Sequence, residues 1–458
     1  MKIVILGAGQ VGASVADHLS REANDITIVD IDAPRLAELQ DRLDIRGVLG
    51  HAAHPSVLMR AGIEDADLVV ALTNSDESNM AACQVAHSLF NTPTKIARIR
   101  AAEYLEHPSL FHPDHCPIDV LISPEQLVTK HVQRLIEYPG ALQVLDFAEG
   151  KAQLVAIRAN TDGPLVGHHV WELRRILPKG VESRVAAIFR GDRSLIPDGG
   201  TVIEDDDVLF FLAAKKDIKT LMAELRRLEN PVRRIILAGG GNIGMALAKV
   251  LEPDHHVKIF ERRRERAKVI AENLEKAIVL VGDCSDEDLL REESIDLTDV
   301  FCALTNDDEA NILSSMLAKR LGARKVITLI NRPAYANLIE AGMIDIAVSP
   351  QQVTMGALLT HVRKGHMVRV HSLRLGAAEA IEAVAHGDSS NSKVVGRTIE
   401  KIGLPKGTTI GGIVRADNLI MAHHDTTIES DDHIILFVLD KQQIPAVERL
   451  FQVGATFV

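Results

Sequence analysis

Short apolar runs alternate along this chain with longer stretches in which apolar positions recur every three or four residues. Residues 3–6, 26–29 and 68–72 are strand-length runs rich in Val, Ile and Leu, and residues 235–238, 257–260 and 300–304 repeat them later. Runs of this kind separated by amphipathic stretches predict βαβ units, in which a parallel sheet is buried on both faces by helices. From about residue 140 to 226, and again from about 368 to 458, the texture changes to short strands and turns with fewer long helices. The expected fold class is therefore α/β: two Rossmann-like, doubly wound parallel-sheet domains, each followed by a small α+β domain. The expected boundaries are 1–137, 138–228, 232–362 and 366–458, with Asn230-Pro231 and the basic Arg233-Arg234 as the joint between halves.

The alternation is an internal repeat. Gly7-Ala8-Gly9-Gln10-Val11-Gly12 follows the first apolar run, and Gly239-Gly240-Gly241-Asn242-Ile243-Gly244 recurs 232 residues later. At the same offset Gly50-His51 meets Gly282-Asp283, and the stretch from Asp67 to Asn79 meets the stretch from Asp299 to Asn311. Ser123-Pro124-Glu125-Gln126 meets Ser349-Pro350-Gln351-Gln352 at a slightly shorter offset. The small domains also match each other. Leu177-Pro178-Lys179-Gly180 pairs with Leu404-Pro405-Lys406-Gly407, and Ile203-Glu204-Asp205-Asp206-Asp207 with Ile428-Glu429-Ser430-Asp431-Asp432.

Each G-x-G-x-x-G loop has a mechanical meaning. The first glycine turns the chain at the strand end, the second lets a pyrophosphate approach the backbone, and the third lets the helix pack on the strand. The helix N-terminus then offers N–H donors and a positive dipole to the phosphates. In each half an acid, Asp30 or Glu261, ends the next strand a little over twenty residues on, placed to accept hydrogen bonds from ribose hydroxyls. A carboxylate there repels a 2′-phosphate, which favours NAD or ATP over NADP. Arg262, Arg263 and Arg264 follow Glu261 and soften that repulsion unless they are simply a solvated helix start.

Further candidates lie at the other strand ends. Thr73-Asn74 and Thr305-Asn306 occur where a buried strand turns polar, the position at which doubly wound folds bind ligands; Asn74 and Asn306 are also candidate helix caps. Arg98 and Arg100 fall on one face of a strand end, where paired guanidinium groups suit a phosphate or a sheet-margin ion pair. The second half offers only Arg332, one step displaced, and has Asp283 where the first half has His51. The two sites are therefore expected to be unequal.

Composition narrows the functions. The chain has 458 residues, with 63 acids against 51 bases and a net charge of −12, which disfavours nucleic acid as the main partner. Cys83, Cys116, Cys284 and Cys302 show no CxxC spacing, as in a reducing compartment. No secretory signal is expected at the N-terminus, and no apolar run approaches the roughly 20 residues that span a bilayer. His107, His112, His115 and Cys116 fall within ten residues, but their spacing fits no common structural zinc pattern, and no metal is expected.

The doubled two-domain order, with residues 1–12, the stretch from Thr73 to Asn79 and Arg332-Pro333-Ala334-Tyr335, resembles over its full length the regulatory subunits of bacterial Trk-type potassium uptake systems. Those proteins carry tandem regulator-of-K⁺-conductance (RCK) domains, each with a C-terminal regulatory domain. The resemblance implies that the Rossmann-like domains bind NAD(H), or ATP/ADP or another adenine nucleotide. It implies that Thr73, Asn74, Thr305 and Asn306 lie over ribose and phosphates. It also implies a homo-oligomeric ring, expected to be a tetramer, that gates a membrane potassium-translocating subunit from the cytoplasmic face of the inner membrane. The competing reading is an NAD-dependent dehydrogenase with duplicated dinucleotide domains. It needs an acid or base facing the nicotinamide, and the repeated small domains share no His or Cys for that work. A pure scaffold leaves the two glycine loops unexplained. Whether the small domains bind a ligand or make assembly contacts stays open.

Overall fold

The computed structural model describes residues 1–21, 24–177, 180–191, 193–225, 231–332, 335, 344–362 and 367–452. Pro178 and Lys179 of the Leu-Pro-Lys-Gly stretch, Pro333 and Ala334 of the Arg-Pro-Ala-Tyr stretch, and Asn230 at the joint lie outside the described residues.

The first nucleotide domain is a six-stranded sheet of β1 (Lys2–Leu6), β2 (Asp25–Asp30), β3 (Arg46–Leu49), β4 (Leu68–Ala71), β5 (Thr94–Arg98) and β6 (Val120–Ile122). Its spatial order is β3-β2-β1-β4-β5-β6 with every pair parallel, so the chain reverses direction across the sheet between β1 and β4. Central β4 is buried at every position, as a strand covered by helices on both faces must be. Crevices that bind ligands open at the carboxyl ends of strands where the order reverses.

The small domain that follows is antiparallel: β7 (Ala141–Phe147), β8 (Ala152–Arg158), β9 (Ser183–Arg190), β10 (Arg193–Leu195) and β11 (Val208–Ala214), in the order β10-β9-β11-β8-β7. The second half repeats both sheets. β12 (Arg234–Ala238), β13 (His256–Glu261), β14 (Ile278–Val281), β15 (Val300–Ala303), β16 (Lys325–Leu329) and β17 (Ile346–Val348) form the parallel order β14-β13-β12-β15-β16-β17. β18 (Met367–Leu373), β19 (Ala378–Val384), β20 (Thr408–Arg415), β21 (Asn418–Met421) and β22 (His433–Val438) form the order β18-β19-β22-β20-β21. The α/β fold with two doubly wound sheets and two small α+β domains is as the sequence predicts.

By packing, the chain forms two compact bodies. One comprises residues 1–127 together with 351–362, and the other comprises residues 128–350 and 363–458. The connecting helix Pro350–Val362 follows β17 in the chain, yet from Gln351 onward it belongs to the first body. From Val128 onward the helix Pro124–Glu137 packs with the second nucleotide domain, where Lys325 Nζ donates to the carbonyls of Leu135 and Ala141 near that helix's C-terminal end. A cation at the carboxyl end of a helix is favoured by its unpaired carbonyls and its dipole.

Within the second body the two small sheets share one core. Side chains alternate across β11: Leu209, Phe211 and Ala213 face the helix Lys215–Leu225, while Phe210 and Leu212 meet Leu373, Ala380, Ile435 and Phe437 of the second small domain. Close approach is permitted by Gly411 and Gly412, where an added Cβ would lie 2.5 Å from Phe437 and 2.9 Å from Leu212 respectively. Polar ties reinforce the core: Gln143 donates to the Ser372 carbonyl, Lys151 pairs with Asp417, and the Ala148 N–H donates to buried Glu382.

The repeated acidic stretch of the small domains is a staple. Arg190 makes a bidentate pair with fully buried Asp207 and also reaches Glu204 and the Val202 carbonyl. Arg415 does the same with Asp432, Glu429 and the Thr427 carbonyl. In each case hydrogen bonds to the aspartate lead in pushing the guanidinium further toward its charged form.

Candidate nucleotide-binding sites

Both glycine loops sit at the carboxyl end of the central strand, β1 or β12, and lead into a helix, Gln10–Ser20 or Asn242–Leu251. Gly7 has φ +107° and Gly239 φ +109°, a region that side chains rarely adopt. A Cβ on Gly12 would lie 1.9 Å from the Gly7 carbonyl oxygen, and one on Gly244 2.0 Å from that of Gly239. The second glycines differ: nothing lies within 4 Å of a Cβ added to Gly9 or Gly241. Each loop is thus closed where the helix packs and open where a pyrophosphate would approach. Val11, Asn242 and Ile243 lie in the first turns of these helices.

The acids are coupled to the loops. Asp30 takes the Ala8 N–H on one oxygen and the Asp32 N–H on the other. Glu261 takes the Gly240 N–H at 3.2 Å and the Arg263 N–H at 2.9 Å. The second loop is more enclosed. Glu261 is only 9% exposed, and an added methyl at Gly240 would meet Ile270 at 2.1 Å, whereas the first loop carries Ala8 at that position. Arg266 donates from Nε to the Gly240 carbonyl at 2.9 Å, which places a guanidinium against the loop. Arg262 and Arg263 are largely exposed at the start of the helix Arg264–Asn273, at 3.5 Å from Asp283 and 3.6 Å from Glu261 respectively. The Ser285 backbone N–H holds the Asp283 carboxyl below the usual carboxylate range, with Arg262 assisting. In the first half the exposed His51 instead stacks on His54, with ring centroids 4.8 Å apart.

At the β4 and β15 ends the structure moves one expected role. The caps of the following helices are Ser75, accepting from the Ser78 N–H, and Asp307, accepting from the Ala310 N–H, rather than Asn74 and Asn306. The reason is the residue before them. Thr73 and Thr305 are held by fully buried Asn79 and Asn311, whose Oδ1 takes both the threonine N–H and its hydroxyl. The same asparagines donate from Nδ2 to the carbonyls of Arg98 and Leu329, so each ties two strand ends to one helix. Asn79, Asn311 and Arg266 build the sites and were not singled out by the sequence. The only signal for the asparagines was their recurrence in the repeat.

Arg98 and Arg100 come together at the β4 turn, donating at 2.6 Å to the carbonyls of Thr73 and Asn74 respectively. Burial lowers the Arg98 pKa, with Arg100 adding to the effect. In the register of the second sheet these positions are Leu329 and Asn331, and Asn331 satisfies Asp308 from both its backbone and its side-chain amide. Arg332 is turned to Glu309 and Tyr335, at 3.0 and 3.1 Å.

Residues 3–123 and 235–350 match the TrkA-N domain, and residues 154–226 and 389–452 match the TrkA-C domain. The chain is 61% identical over 457 residues to a Trk system potassium uptake protein TrkA of Halomonas elongata, covering 100% of both chains. It is 58% identical to the protein of the same name from Vibrio alginolyticus, again over 100% of both. The chain belongs to the family of Trk system potassium uptake proteins TrkA. The fold of this TrkA family member is also that of the GsuK RCK domain, with TM-score 0.63 and 18% identity over 98% of this chain and 94% of that one. A GsuK channel bound to NAD aligns with TM-score 0.62 at 18% identity, over 98% of this chain and 79% of that chain.

Proposed function

We propose that this TrkA family member is the nucleotide-sensing regulatory subunit of a Trk-type potassium uptake system, reading NAD(H) and an adenine nucleotide such as ATP or ADP. The observation that carries this reading is the pair of glycine loops, each tightly packed at its third glycine and open above its second. A dinucleotide's pyrophosphate would lie over Gly9 or Gly241, against the N–H groups that begin the helix. Asp30 and Glu261 would take ribose hydroxyls, Thr73, Asn74, Thr305 and Asn306 would border the ligand, and Arg98 and Arg100 would hold the first turn in place.

The sites are proposed to be unequal. Arg263 and Arg266 add positive charge around Glu261, so the second site tolerates extra ligand charge that the first repels. No helix of the described residues is long and apolar enough to cross a membrane. On this reading, which follows the family resemblance, the chain lies at the cytoplasmic face as a homo-oligomeric ring of four docked on a membrane potassium-translocating subunit. Nucleotide drives gating only through its different affinity for the ring's alternative shapes. No catalytic role is assigned, and no observation favours the dehydrogenase alternative.

Calorimetry on the purified full chain tests this. NADH and ATP should bind, Gly9→Val should remove one class of site and Gly241→Val the other, and NADH with hydroxy acids or aldehydes should give no turnover. Undiminished affinity with both loops blocked sinks the reading, and robust turnover would favour the dehydrogenase.

A further inference from the structure

The helix Pro350–Val362 completes β17 of the second nucleotide domain in the chain but packs in the body that holds the first. Its first turn carries Gln351, 8% exposed. The Gln351 amide Nε2 is 3.3 Å from Gln10 Oε1, and the Ser14 hydroxyl donates to Gln351 Oε1 at 3.4 Å. Gln10 and Ser14 are four residues apart, hence on one face of the helix that begins at the first glycine loop. Gln10 is that helix's first residue, next to the open Gly9, where phosphate oxygens meet a helix N-terminus.

We infer that Gln351, supplied by the second half, is a positioning residue of the first nucleotide site. This rests on the proposed nucleotide binding. A phosphate over the open Gly9 would come up beside the Gln10 side chain and its uncharged amide partner. Both hydrogen bonds are long, so the arrangement has room to tighten around an anion. The side-chain type fits this role. The corresponding position in the first half is Glu125, whereas the residue brought to the first loop is an amide, which can donate to an anion without repelling it.

The test uses the full chain carrying Gly241→Val, so that NADH reports the first site alone. Adding Gln351→Glu should raise the NADH Kd about tenfold, whereas the uncharged Gln351→Asn should cost less, as a charge–charge effect requires. In a Gly9→Val chain, where only the second site remains, Gln351→Glu should leave the Kd unchanged. First-site affinity that ignores Gln351→Glu, or an equal loss in Gln351→Asn, overturns the inference and leaves nucleotide binding standing. Failure of the Gly241→Val chain to bind NADH, while the Gly9→Val chain still does, overturns the inference through the first site alone; binding by neither removes the underlying reading as well. Hydrogen exchange on the unmodified chain gives an independent measure. NADH should slow exchange across residues 350–362, and unchanged exchange there overturns the inference.

Discussion

At the scale of single residues, the three glycines of the first loop make separable predictions. Gly9 has φ −67° and ψ −176°, which any residue adopts, and an added Cβ meets nothing within 4 Å. Gly9→Ala should therefore leave the melting temperature unchanged while weakening NADH binding at the first site, because the methyl stands where the proposed pyrophosphate would approach. Gly12→Ala forces a methyl to within 1.9 Å of the Gly7 carbonyl and should cost on the order of 1–3 kcal/mol of stability as well as the ligand. Thermal melting beside calorimetry checks both, and full affinity in Gly9→Ala would mean that the ligand does not cross that glycine. The turn at Gly7 and the packing contact at Gly12 were legible in the sequence because both are local, within six residues. Asn79 and Arg266 were not, since their partners at Arg98 and Gly240 are 19 and 26 positions away. The cap fell on Ser75 rather than Asn74 because Asn79 fixes Thr73, and that contact has no local signature.

At the scale of elements, the small domains illustrate what a repeat reveals and what it hides. The recurrence of the acidic stretch before β11 and β22 was plain, but its work as an anchor for Arg190 and Arg415 depends on a strand brought in by the sheet. Asp432→Asn should lower stability by about 3 kcal/mol, because it leaves the Arg415 guanidinium without its fully buried counter-charge. The exposed Asp425→Asn is the control, and equal melting temperatures for the two would refute the staple. A pH response belongs to this level too. Burial pulls His131, on the helix Pro124–Glu137, and His371, on β18, down to about 4 each. Arg134 and the other histidine add to the effect at His131, while the bond to the Asp146 carbonyl opposes it at His371. Between about pH 6.5 and 4 the unfolded chain then holds more protons than the folded one. Their contribution to stability is full above pH 6.5 and falls as pH drops through that window. Melting from pH 7.5 to 4.5 should show the decline, and the paired change His131→Gln with His371→Gln should flatten it. The exchange of connecting helices was hidden for a different reason. Chain order states that a helix follows β17, but not which sheet offers the matching apolar face.

For the whole molecule, a chain that repeats its architecture without repeating its sites is suited to compare two signals. The first loop carries Ala8, Asp30 and the paired Arg98 and Arg100; the second carries Gly240, an enclosed Glu261 and the guanidinium of Arg266. If such a chain gates a membrane partner, binding of nucleotide and binding of that partner are linked and must change each other by the same factor. A purified potassium-translocating subunit in detergent, titrated with this chain with and without saturating NADH, should give two affinities whose ratio equals the ratio of NADH affinities measured with and without the subunit. A ratio of one in both titrations would mean that the nucleotide does not report to the partner at all. A ratio that differs between them would show that a further component, or a change in ring assembly, stands between the nucleotide and the gate.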